Sequence, residues 1–296
     1  MNHQMTPGGM TTLACLLEVS APKPGNVHRA ADFEDLTFTD FATSAVVLGQ
    51  VFDANGDASL GQTILAAVQQ TSWAVGTNTN LGIILLLAPL AKIAVGDSNG
   101  QIDQARVAKF FDELPAGEGT AVFEAIRLAK PGGLGQAQAM DVHSNIESPV
   151  DLLGAMELSK HRDAIARQYV TGFQTVFDKG VPLLLKGREI FGNLSQAIVF
   201  AHVALMANEP DSLIQRKLGQ EMANHSQILA RQAHDILEAD DSLIDTTVQS
   251  YWRAVSELDF WLRSDGHRRN PGTTADLIAA TLFVSIFNGA IRPPFR

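Results

Sequence analysis

The chain has 296 residues, 46% of them hydrophobic and 18% charged, a composition that suits a globular protein and excludes a disordered one. Its formal net charge of −10, with no basic run, argues against unaided nucleic-acid binding. A polyanionic ligand has to be met by a local basic cluster against that background, with a metal ion to help. Cys15 is the only cysteine, which excludes an internal disulfide and a Cys-rich zinc site and leads us to expect a reducing cytoplasm.

Apolar residues recur at helical spacing, and strand alternation hardly appears, so the fold class expected is all-α. Helices are expected near 7–20, 37–53, 58–75, 81–95, 101–113, 117–129, 149–190 (broken around Gly172 and Gly180), 191–207, 212–238, 242–265 and 273–288. They make a multi-helix globular domain of about eleven helices over 1–296, with the Gly- and Asn-rich 130–149 stretch as the seam if there are two halves. Thr6-Pro7 and Ser148-Pro149 place a capping oxygen before a proline at the first helical position. Thr37 with Asp40, and Ser148 with Asp151, have capping-box spacing. The start of the chain lacks the basic region of a signal peptide, and the apolar run Leu81 to Ala91 is too short to span a bilayer.

Five loop segments carry polar and glycine residues that core packing does not explain. In the first, Glu18 precedes Pro22-Lys-Pro-Gly25, His28 and Arg29, and then Asp32, Glu34 and Asp35. Lys23, His28 and Arg29 are candidates for phosphate contact and the three acids for Mg²⁺, against the plainer reading of a proline-rich connection with solvated charges. In the second, Gly76-Thr-Asn-Thr-Asn-Leu-Gly82, amides and hydroxyls precede a strongly apolar helix. They suit a nucleotide at a helix amino terminus, or an elaborate N-cap. The third is Lys130-Pro-Gly-Gly-Leu-Gly135 with Asp141 and His143, which lacks Walker A spacing. The fourth, Asp211 to Lys217, ends in adjacent Arg216 and Lys217, which point about 100° apart on a helix and are both open to solvation. The fifth runs from Arg268 to Asp276, where Thr273 and Asp276 are spaced for a capping box. His202 and Tyr169 fall on apolar faces and read as satisfied core residues.

Taken in order, these segments resemble the triphosphoribosyl-dephospho-CoA synthase family. Glu18 with Pro22-Lys-Pro-Gly25, the Asp32/Asp35 cluster and Phe41-Ala-Thr-Ser44 are similar to its opening signature. Asn78-Thr79 with Gly82, Asp211-Ser-Leu-Ile with Arg216 and Gly219, and Pro271-Gly-Thr-Thr-Ala-Asp-Leu277 resemble its later motifs. The resemblance implies an all-helical transferase that moves a triphosphoribosyl group from ATP to the 2′-hydroxyl of 3′-dephospho-CoA and releases adenine. It implies Mg²⁺ and triphosphate at Lys23, Arg29, Asp32 and Asp35 with help from Arg216. Gly25 and His28 belong to the same nucleotide-binding set. Asn78, Thr79 and Asn80 contact ribose or base, and Glu18, Asp141 or Asp276 is the base. The family carries His-Lys where this chain has Asn80-Leu81, so the missing charge has to come from Lys23, Arg29 or Arg216, or the ligand is less highly charged. Partners are therefore small nucleotides rather than nucleic acid or membrane, with homo-oligomerisation left open. The rivals are an all-helical, Mg²⁺-dependent hydrolase of ADP-ribosyl or nucleoside bonds and a non-catalytic helical partner protein.

Overall fold

The computed structural model describes residues 5–77, 79–96, 100–129, 150–238 and 245–295. Among these are fourteen α-helices, one π-helical turn at Val176–Gly180, and one short extended segment, Ser264–His267, with no sheet. The helices are α1 (Pro7–Ser20), α2 (Phe38–Ala54), α3 (Leu60–Val75), α4 (Leu81–Gly96), α5 (Gln104–Asp112), α6 (Glu118–Ala129) and α7 (Leu152–Ser159). They continue as α8 (Ala164–Thr171), α9 (Val181–Phe191), α10 (Leu194–Asn208), α11 (Ser212–Leu218), α12 (Gln220–Glu238), α13 (Asp245–Arg263) and α14 (Gly272–Phe287).

Composition decides which helices lie inside. α4, α10 and α14 are apolar on every face and are buried along most of their length, as a helix without a polar stripe has to be. α14 packs against α1, α4 and α10, so the core centres on it. Amphipathic α12 packs on α10 and α11, α13 packs on α12, and both turn charged faces outward. Thr6 caps α1 by accepting from Gly9 N, and Thr37 with Asp40 closes the expected capping box on α2. Among the described residues no helix is long and apolar enough to cross a membrane.

The all-α class holds, but several boundaries move. The stretch expected as one interrupted helix from 149 to 190 becomes α7, α8, the π-helical turn and α9. Its breaks lie at Lys160–Asp163 and after Gly172. Gly180 is no break: the π-helical turn runs through it into α9, and a Cβ there would lie 2.2 Å from Thr281 Oγ1, so it serves close packing on α14. The 212–238 helix is split by Gly219, whose φ of 90° a side-chain-bearing residue rarely adopts. The 130–149 seam, with Asp141, His143 and the Ser148 cap, lies outside the described residues, as does Asn78. Asp151 instead caps α7, accepting from Gly154 N.

Candidate active site

The amino-terminal ends of α4, α8, α11 and α14 meet at one place, and acidic side chains tie them together. Asp211 caps α11, its Oδ1 accepting from Leu213 N at 2.8 Å and Ile214 N at 3.0 Å. Its Oδ2 accepts from Thr274 N and Thr274 Oγ1, both at 2.8 Å, so one buried carboxylate fastens α11 to the first turn of α14. Ser212 Oγ donates to Thr273 Oγ1 at 3.1 Å and accepts from Ala164 N at 3.3 Å, which adds α8. Asp163 caps α8 and accepts from Arg216 at 3.1 Å. Gly82, in the first turn of α4, abuts Asp276: a Cβ there would fall 2.0 Å from Asp276 Oδ2 and 3.1 Å from Ile165 Cδ1. Helix amino termini carry partial positive charge, which favours the acids gathered there.

Asp276 stands apart from the other acids. The Thr273–Asp276 capping box does not form: α14 has no side-chain cap, and Thr273 Oγ1 is engaged by Ser212. Asp276 keeps partial solvent access. Surrounding protein nevertheless desolvates its carboxyl, and the charges of Glu18 and Asp211 add to that, so its pKa stands well above the usual carboxylate range despite opposing Arg216. Burial also raises Asp211, against its four hydrogen bonds. The fields of Glu18 and Asp276 reach Cys15 on α1, whose thiol is held protonated chiefly by burial.

Glu18, at the end of α1, is buried and paired with Lys23 at 2.8 Å. This corrects the sequence expectation for Lys23. It is fully buried, with Nζ also donating to the carbonyls of Glu18 and Ala21, so it faces Glu18 and not an open phosphate site. A buried ammonium requires such a partner, and Glu18 five positions earlier supplies it. Gly25 is likewise an internal joint. Its φ is 74°, its N–H donates to Asp259 Oδ1 at 2.8 Å, and a Cβ would lie 2.8 Å from Leu262 and 2.9 Å from Pro271. Arg263 donates to the Asn26 carbonyl and, through Nε, to Asp259 at 2.8 Å, so α13 grips the Gly25-Asn26 peptide from both sides. His202 is buried as expected but not fully satisfied. Nε2 lies 3.4 Å from Asn26 Nδ2, and Nδ1 has no hydrogen-bond partner among the described residues. Burial and the Lys23 charge keep its ring neutral. Tyr169 is satisfied, donating to the Leu85 carbonyl at 2.7 Å.

The remaining candidates are scattered or differently engaged. Arg29 is exposed, and half-buried His28 has its pKa lowered by burial and then by Arg263. Asp32 accepts from Phe38 N at 2.6 Å at the start of α2. Asp35 pairs with His267 at 2.8 Å. Among the described residues no three His, Cys, Asp or Glu side chains converge to hold a metal ion, and Asp32 and Asp35 are engaged by Phe38 N and His267 respectively. Thr79 Oγ1 lies 2.7 Å from Ser44 Oγ, and buried Asn80 accepts from Ile84 N at 2.9 Å as the start of α4. Leu81 packs against the core. Arg216 and Lys217 are only partly solvated: both are half-buried, with Arg216 on Asp163 and Lys217 Nζ donating to Asn270 Oδ1 at 3.0 Å. Sequence reasoning left Asp163 out of the site and gave Asp211, which opens the fourth segment, no role, although both stand directly before a helix, where an acid signals a cap. It also missed Asp259 and Arg263, for which the chain offers no local signal.

The family model for ATP:dephospho-CoA triphosphoribosyl transferase matches residues 5–293. A protein of Stutzerimonas stutzeri named for 2-(5''-triphosphoribosyl)-3'-dephosphocoenzyme-A synthase activity is 26% identical over 293 residues, covering 93% of this chain and 88% of that protein. A crystal structure from Archaeoglobus fulgidus described as a triphosphoribosyl-dephospho-CoA synthase superposes with a TM-score of 0.60. At 22% identity it spans 83% of this chain and 98% of its own, and it supports the fold. With its acid-lined helix termini enclosed by the matched region, the chain belongs to the ATP:dephospho-CoA triphosphoribosyl transferase family.

Proposed function

We propose that the chain moves the 5′-triphosphoribosyl group of ATP to the 2′-hydroxyl of 3′-dephospho-CoA, releasing adenine. One observation carries the mechanistic part of this reading: Asp276, partly open to solvent and raised in pKa, stands at the meeting of four helix starts beside Glu18 and Asp211. Breaking the C1′–N9 bond leaves an oxocarbenium-like centre, and adenine departs more easily once protonated. The raised pKa favours the protonated form of Asp276, which gives its proton to the departing base. The resulting carboxylate then takes the proton of the acceptor hydroxyl as its oxygen bonds to C1′. The proton lost by the hydroxyl equals the proton gained by adenine, so the group returns to its starting state. Glu18, locked on Lys23, serves as fixed charge beside the cationic centre and not as the mobile base. Mg²⁺ enters this reading as a counter-ion of the nucleotide phosphates, with no side chain assigned to it. A cytoplasmic location belongs to the same reading, in keeping with the lone buried Cys15.

The test is incubation of the purified chain with ATP, Mg²⁺ and 3′-dephospho-CoA, followed by mass spectrometry and adenine quantification. Acceptor-dependent adenine release with one triphosphoribosylated product is the expected result. Adenine or ribose released at the same rate without acceptor would replace the transferase reading with the hydrolase one.

A further inference from the structure

We infer that Lys217, together with Arg216, forms the subsite for a polyphosphate chain, supplying the charge that Leu81 does not. The inference rests on the nucleotide-transfer reading for its biological ligand, but its physical basis is independent of it. α11 is a short helix that ends at Gly219, and its last turn places two cations side by side. Arg216, 23% exposed, pairs with Asp163 at 3.1 Å. Lys217 is half-buried, and among the described residues its ammonium has one hydrogen-bond acceptor, the neutral amide oxygen of Asn270. The nearby acids are otherwise engaged: Asp35 with His267, Asp211 with four donors on α11 and α14. Burial first, then the Arg216 charge, lowers the Lys217 pKa, and Asp211 and Asp35 offset this in part.

A helix carboxyl end favours a cation, which accounts for one positive charge here. It does not account for drawing a second out of water against a neutral amide and beside a like charge, because that arrangement is unfavourable until an anion arrives. Gly272 packs so closely on α11 that a Cβ would lie 2.6 Å from Leu213 Cδ2 and 3.3 Å from Asn270 Nδ2, which fixes the Asn270 turn opposite Lys217.

The placement suits an extended nucleotide. Asp211 and Lys217 mark the two ends of α11, six residues and about 9 Å apart along its axis. Asp211 at one end is tied to the first turn of α14, and Arg216 near the other end still acts on Asp276, so the cations are within reach of the phosphates of a nucleotide whose ribose sits at Asp276. Lys23 is unavailable for this task because it is internal and paired with Glu18.

Calorimetric titration of the intact chain with inorganic tripolyphosphate tests the subsite without relying on turnover. The wild type should bind, Lys217→Gln should bind about tenfold more weakly or worse, and Lys217→Arg should retain most of the affinity. Melting curves establish that each variant is folded, and the Arg variant keeps the test decisive if the Gln variant is not. The donor triphosphate and the acceptor diphosphate are separated by steady-state kinetics: a raised KM for ATP alone assigns the subsite to the donor, and a raised KM for 3′-dephospho-CoA alone assigns it to the acceptor. Equal tripolyphosphate affinity in wild type and a folded Lys217→Gln variant, or none in the wild type, would overturn the inference. Loss of tripolyphosphate binding in the variant would uphold it even if the wild type proved inactive with 3′-dephospho-CoA.

Discussion

Replacing Lys23 by methionine distinguishes an internal ion pair from a phosphate-binding lysine. Lys23 has no solvent exposure and Glu18 about 5%, with their charged atoms 2.8 Å apart. At an effective dielectric constant of about 20, Coulomb's law gives roughly 6 kcal/mol of attraction at that separation, most of it offset by desolvation in the intact pair. Removing one partner leaves the other charge buried and uncompensated, which costs about 3–5 kcal/mol. At about 2–4 °C per kcal/mol, Lys23→Met should melt roughly 6–20 °C below wild type. Replacing Glu18 by methionine as well should restore most of the loss, because a pair exchanged for apolar groups of similar volume is close to neutral. Turnover should stay low in the double variant, since the fixed charge beside the reacting centre is gone. Calorimetric melting of the four proteins forms a double-mutant cycle. A Lys23→Met variant that melts within 2 °C of wild type, while its KM for ATP rises tenfold, would refute the internal pair and return Lys23 to the phosphates.

Two further predictions concern Asp276. Its raised pKa means that the folded state holds this proton to higher pH than the unfolded chain does. The stability contributed is fully present below the unfolded carboxylate value and is lost as pH rises through the folded one. Asp276→Asn, permanently neutral, should therefore melt above wild type at about pH 8 and converge on it near pH 4, while kcat falls by roughly 10²–10⁴-fold. Melting curves that run parallel across that range would remove the basis for treating Asp276 as the proton carrier. In Gly82→Ala the new methyl overlaps the end of the Asp276 side chain, which has to turn aside. Melting should change little and kcat should fall about 100-fold, because displacement of a reacting group by about 1 Å is costly; near-normal kcat would show that its seat against Gly82 is not the reactive one.

The helical architecture was legible because it rests on local signals. The unbroken apolar character of α4, α10 and α14 places them inside without reference to any partner, and Thr6 and Thr37 mark helix starts by chemistry that acts over three residues. The split between α11 and α12 was written in Gly219, but a glycine in a long periodic stretch is compatible with continuation, and only the backbone angle decides. The site was legible as a set of segments and not as a set of roles. A lysine between two prolines reads as solvated, and its inward turn depends on the buried end of α1. Thr273 and Asp276 have capping-box spacing, yet Ser212 competes for the threonine from 61 positions away. Asp163 and Arg216 meet across 53 positions, a pairing that no periodicity announces.

The grip of α13 on the loop after α1 also constrains the order in which the protein can be built. The bond from Gly25 to Asp259 joins positions 234 apart, and that from Arg263 to Asn26 joins positions 237 apart. α1 itself packs on α14. Such distant closures come late in folding, because chain entropy has to be overcome before the contacts repay it. During synthesis the segment bearing Glu18 and Lys23 therefore emerges early and waits, its future internal charges still hydrated, until the helices that enclose it have been made. The loop that follows α1 is fastened among the last parts of the molecule, and a chain arrested before α13 carries the loop's sequence without the loop.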